Sequence, residues 1–110
     1  MKRHKAIICK SGFRMSVQAS ATSYSRPENN SGPYTHVEIG FPSETEDMIM
    51  RFAEDPNYPC GTVYPYVPVG VVKAVIIKHG GSVEGDHPDF DINAEQSFIL
   101  AKALLDDTNS

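Results

Sequence analysis

The sequence predicts an α+β fold: an N-terminal antiparallel β-sheet followed by C-terminal α-helices packed on one of its faces. Three observations carry this. Two early segments, 13–20 and 34–41, alternate apolar and polar residues with the period of half-buried strands. Helix capping and stop signals come only after residue 42. Strands therefore precede helices as a group, which is the α+β order rather than the interleaved order of a parallel sheet. A chain of 110 residues is expected to fold as one domain over 1–110, with a β-rich basic part (1–41) and a helical acidic part (42–110).

The elements follow in order. Residues 5–10 (KAIICK) read as a short strand, and Ser11-Gly12 as a turn. In 13–20, Phe13, Met15, Val17 and Ala19 face one side, and Arg14, Ser16, Gln18 and Ser20 the other. A two-residue Ser-Gly link between these strands suggests a hairpin, although Ser is unusual at the first position of a primed turn. Residues 21–33 are polar, with two prolines and a glycine, and read as a long loop. In 34–41, Val37, Ile39 and Phe41 oppose Tyr34, His36 and Glu38, so a third strand is expected, antiparallel to one of the first two.

Ser43-Glu44-Thr45-Glu46 has the form of a capping box, with acids suited to the positive end of a helix running to about Glu54. Met48, Ile49, Phe52 and Ala53 make its apolar stripe, and Asp55-Pro56 stops it. TVYPYV (62–67) reads as an extended piece, placed at a sheet edge because Pro65 lacks a donor. Pro68 opens a second helix despite its β-branched content, with stripe Val69, Val72, Val75, Ile76 and His79 and Gly80 as left-handed cap. Residues 81–91 form an acidic loop. Asn93 is expected to cap a last helix whose apolar face is Phe98, Ala101, Leu104 and Leu105.

Charge is unevenly placed. The first 27 residues hold six Lys or Arg and no acid, about +6, whereas the remaining 83 carry about −10, within a net −4. Such a local positive field attracts an anionic ligand or pairs one copy of the chain with another. No apolar run reaches the roughly 20 residues of a membrane span. The run Ala6 to Cys9 is too short for a signal peptide, so a cytoplasmic location is expected. Cys9 and Cys60, far apart in different settings, read as two reduced thiols. No cofactor and no metal are expected.

Candidate chemistry falls into three groups. Arg14, Gln18, Tyr24, Arg26, Tyr34 and His36 lie on the polar faces of the early strands and the loop between them. Arg offers a donor fork to phosphate and Tyr a stacking face to a base, so the set suits a small nucleotide. Read blandly, it is a solvated sheet face. Tyr58, Tyr64 and Tyr66 lie between prolines and suit either an interface or edge packing. Glu84, Asp86, His87, Asp89 and Asp91 resemble a calcium loop but lack its sharp-turn glycine and terminal glutamate. Gly-x-Ser-x-Gly, Walker and His-Glu-x-x-His motifs are absent, so no enzyme is expected. The acidic remainder disfavours long nucleic acid.

From Gly12 to Gly81 the segments GFRMSVQAS, YSRP, GPYTHVEIGFPSE, AEDP, TVYPYVPVGVV and HGG resemble small bacteriophage and prophage proteins, in particular the Thoeris anti-defence 1 family. The resemblance implies a phage anti-defence protein that binds, without cleaving, a cyclic nucleotide immune signal. That signal is a cyclic ADP-ribose isomer or a cyclic oligonucleotide. It also implies an N-terminal sheet followed by helices, assembly as a dimer or larger homo-oligomer, and pockets at subunit interfaces. No family contact is carried over residue by residue. The alternative is an anti-CRISPR-like inhibitor that binds a bacterial defence protein through its acidic surface. A third reading is a phage accessory protein with no small ligand.

Overall fold

The structure, a computed structural model, describes residues 3–97. It is an α+β fold built on a five-stranded antiparallel sheet, with strand order β4-β3-β2-β1-β5. The strands are β1 (Ile7–Cys9), β2 (Arg14–Gln18), β3 (His36–Gly40), β4 (Val63–Pro68) and β5 (Ser82–Glu84). A 3-10 helix spans Asp47–Phe52, α1 spans Val69–Lys78, and residues 92–97 are helical. Phe98, Ala101, Leu104 and Leu105, expected on the last helix, lie outside the described residues.

The alternating segments bury one face as their pattern requires. Ile7, Phe13, Met15, Val17, Val37, Ile39 and Tyr64 join Ile49 of the 3-10 helix and Val69, Val72 and Val75 of α1 in one core. The β-branched segment 69–78 is a helix, as its Pro start and Gly stop predict. Pro68 stands one position earlier than expected, as N-cap rather than in the first turn. At the other end Gly80 (φ 91°) donates to the Ile77 carbonyl and Gly81 to that of Ile76, the Schellman pattern that closes helix ends. β4, with Pro65 inside it, occupies a sheet edge where a missing donor is tolerated.

Several local expectations are corrected. The β1–β2 hairpin has a three-residue loop, Lys10 to Gly12, because Cys9 N donates to the Phe13 carbonyl and Gly12 N to that of Cys9. Gly12 at φ 96° supplies the left-handed residue, so Ser11 escapes the primed-turn position it disfavours. Ser43 is not a helix cap: its Oγ accepts from Arg14 N at 2.9 Å and its N donates to the Arg14 carbonyl at 2.8 Å. With that hydroxyl engaged on β2, Glu46 caps instead, accepting from Met48 N at 2.8 Å, and a 3-10 helix ending at Phe52 replaces the expected α-helix.

The acidic segment 81–91 contains β5, which pairs with β1. Strand β5 is too short, and too polar around Val83, to show alternation. Asp91, not Asn93, caps the last helix, its Oδ1 accepting from Ala94 N at 3.0 Å. Phe41 turns outward at φ 51°, and Tyr34 turns inward. Among the described residues no helix is long and apolar enough to cross a membrane, and no group of three His, Cys, Asp or Glu is placed to hold a metal. Cys9 is buried and Cys60 exposed, both as free thiols.

Candidate functional site

The polar face of the sheet and the loop 20–26 over it carry the candidate site. Register decides which side chains share this face: Ser16 pairs with Gly40 and Gln18 with Glu38, while Ile7–Met15 pairing sets Ala6 opposite Ser16. Arg14, Ser16 and Gln18 alternate onto the face by the two-residue period of β2.

The six sequence candidates separate into three situations. Tyr24, Arg26 and His36 converge. Arg26 forms an antiparallel bridge with His36, its guanidinium lies 4.7 Å from the Tyr66 ring centre, and the Tyr24 ring packs on Tyr66 at 5.8 Å. Tyr66 N donates to the Tyr24 carbonyl, and Tyr24 N to Glu38 Oε2 at 3.1 Å. Burial and then the Arg26 charge hold the His36 imidazole below its usual range.

Gln18 and Tyr34 have other tasks. The Gln18 amide accepts from His4 N at 2.9 Å and donates to the His4 carbonyl at 2.7 Å and to Ser16 Oγ at 3.0 Å. It therefore ties the segment ahead of β1 to β2. Tyr34 is buried, with its hydroxyl donating to the Asn29 carbonyl at 2.7 Å and its backbone bridged in parallel to Phe90. Burial pushes its phenol pKa up. The strand alternation that placed Tyr34 on the polar side fails because it precedes the first strand residue, His36. Arg14 stands apart, exposed at the start of β2.

Two contributors were missed or misassigned by sequence reasoning. Tyr66, grouped with Tyr58 and Tyr64, belongs with Arg26. It sits at φ 52°, where the β3–β4 register shifts between Val37 and Ile39. A bulky residue in the left-handed region costs about 1–3 kcal/mol and persists only where its surroundings impose it. Pro65 beside it was the available signal of an irregular strand. Tyr64, by contrast, is wholly buried and Tyr58 is exposed.

The second contributor is the N-terminal basic run. Arg3, His4 and Lys5, with Ala6, Ser16 and Gln18, line an open groove of about 430 Å³ beside β2. Arg3 and Lys5 belong to the basic set that makes the charge asymmetry, but nothing local placed them beside Gln18.

The acidic set is dispersed. Asp86 bonds His4 Nδ1 at 2.7 Å and Lys5 N at 2.9 Å, and Asp91 is a helix cap, which leaves Glu84 and Asp89 on the exposed surface. No family model, no curated protein and no solved structure matches this chain.

Proposed function

We propose that this chain binds and sequesters an anionic cyclic nucleotide on the polar face of its sheet, without chemistry on the ligand. The observation that carries the reading is the cluster of Arg26, Tyr66 and Tyr24 at the strained bulge of β4. It is joined through the Glu38–Gln18 pair to the basic groove of Arg3 and Lys5.

The two ends divide the work. Tyr24, 45 % exposed, offers a stacking surface for a base. Glu28, which accepts from the Tyr66 hydroxyl at 3.1 Å, and Glu38 are acceptors suited to ribose hydroxyls rather than to phosphate. Phosphates go to the exposed side chains of Arg3 and Lys5, ahead of β1, and of Arg14 at the start of β2. A second copy that supplies its own polar face would enclose the ligand, in line with the expected homo-oligomer in the cytoplasm of a bacterial host.

The test is thermal unfolding of the pure protein against a panel of cyclic nucleotides, cyclic ADP-ribose isomers included. A ligand specific to the native state adds about 2.7 kcal/mol at a hundredfold excess over its Kd. The expected result is a raised Tm, with intact ligand recovered after denaturation. Arg26→Ala should abolish the shift and Arg14→Ala reduce it, while the unliganded Tm holds. No shift across the panel overturns the reading.

A further inference from the structure

A separate cluster sits at the opposite end of the β1–β2 hairpin. Ser11 lies exposed at the hairpin tip, and its Oγ is 3.1 Å from His79 Nδ1. His79 Nε2 lies 2.8 Å from Glu46 Oε1, and the Glu46 side chain is only 1 % exposed. The imidazole is held on both faces of the problem, orientation and position. It stacks on Phe13 with ring centres 4.2 Å apart, its backbone N–H donates to the Val75 carbonyl, and its own carbonyl accepts from Ser11 N at 3.0 Å.

This arrangement selects a tautomer. An ionised carboxylate accepts only, so Nε2 carries the proton toward Glu46 and Nδ1 presents a lone pair to the Ser11 hydroxyl. Nucleophile, base and orienting acid are then linked by consecutive hydrogen bonds, the relation that activates a serine. Glu46 stays ionised because, although burial pushes its carboxyl up, the Lys78 ammonium, Met48 N–H and His79 outweigh burial and hold it below its usual range.

Two features limit the chemistry. Lys78 Nζ lies 2.8 Å from the same Glu46 oxygen and offsets part of the charge that would favour an imidazolium. The backbone N–H groups of Ser11, Gly12 and Phe13 are committed to the His79 carbonyl, the Cys9 carbonyl and Ser11 Oγ, so they form no oxyanion hole.

We propose that Ser11 is an activated nucleophile that takes one acyl group from an activated ester and does not turn over. In the step, a bond forms from Ser11 Oγ to the acyl carbon and the bond from that carbon to the leaving aryl oxide breaks. The serine proton passes to His79 Nδ1 and then to the aryl oxide or to water, and nothing is oxidised or reduced. The cluster shares no residue with the Tyr24, Arg26 and Tyr66 site, although Arg14, assigned to phosphate above, follows Ser11 by only three residues.

The full chain is treated with p-nitrophenyl acetate, and the acetylated residues are mapped by peptide mass spectrometry. The expected result is a burst of at most one equivalent of p-nitrophenolate attributable to an ester on Ser11. Acetylation there should run at least tenfold faster than at the exposed Ser31. His79→Gln should bring Ser11 down to the Ser31 rate, and Ser11→Ala should remove the burst. Should His79→Gln fold poorly, the wild-type rate against pH decides: a sigmoid rise as an imidazole loses its proton supports the proposal, and a log-linear rise with hydroxide overturns it. Equal rates at Ser11 and Ser31 also overturn it.

Discussion

Glu46→Gln tests the physics of the cluster that ties three elements together. Glu46 Oε1 is 2.8 Å from both Lys78 Nζ and His79 Nε2, and Oε2 accepts from Met48 N at 2.8 Å and from Lys78 Nζ at 3.1 Å. Both carboxylate oxygens therefore face donors. A glutamine must turn its amide NH2 toward one of these groups, opposing donors at a position where the carboxylate is only 1 % exposed. Such a buried mismatch costs about 1–3 kcal/mol. The lost charge adds less, because Lys78 is half exposed and can be solvated.

A total near 3 kcal/mol is expected, which lowers Tm by about 10 °C in a domain of this size. The pH dependence has a definite sign. The folded carboxyl titrates below its unfolded value of about 4.3. Its contribution is therefore full above that value and is lost as pH falls through the folded pKa. Urea unfolding of both proteins at pH 7, and again at pH 3 and below, checks this: the gap should be wide at neutral pH and close in acid. A neutral-pH difference under about 1 kcal/mol would refute the account of the site as a buried acceptor pair.

Other perturbations address other links. Gly85→Ala would place a Cβ 2.0 Å from the Ala6 carbonyl oxygen at φ 85°, so β5 must detach from β1; loss of amide-exchange protection at Ile8 and a Tm drop of several degrees are expected. Tyr64→Phe removes a hydroxyl that donates to the Pro59 carbonyl inside the core, and should cost about 1 kcal/mol in urea unfolding. Arg26→Gln removes the nearby charge but not the burial that together hold His36 down. The His36 midpoint, followed by NMR, should move up without reaching the value of an open imidazole.

The sequence by itself determined the elements whose signal is local. Alternation in 13–20 and 37–39 marked the buried face, and Pro68 with Gly80 bounded a helix that β-branched content would have denied. Pro65 placed β4 at an edge. Each rests on the chemistry of a few consecutive residues: pleat period, a ring that fixes φ, a missing Cβ.

Only the tertiary structure decided which polar groups meet. Ser43 and Glu46 satisfy a capping-box pattern, yet the Ser43 hydroxyl is taken by Arg14 across the chain and Glu46 is turned inward to Lys78 and His79. Gln18 and Tyr34, solvent-facing by alternation, are consumed by backbone groups of His4 and Asn29. Tyr66 joins Arg26, and Ser11 joins His79, across separations of 40 and 68 residues. Hydrogen bonds are short-ranged and a side chain has few of them to make, so distant partners brought near by packing override the local pattern.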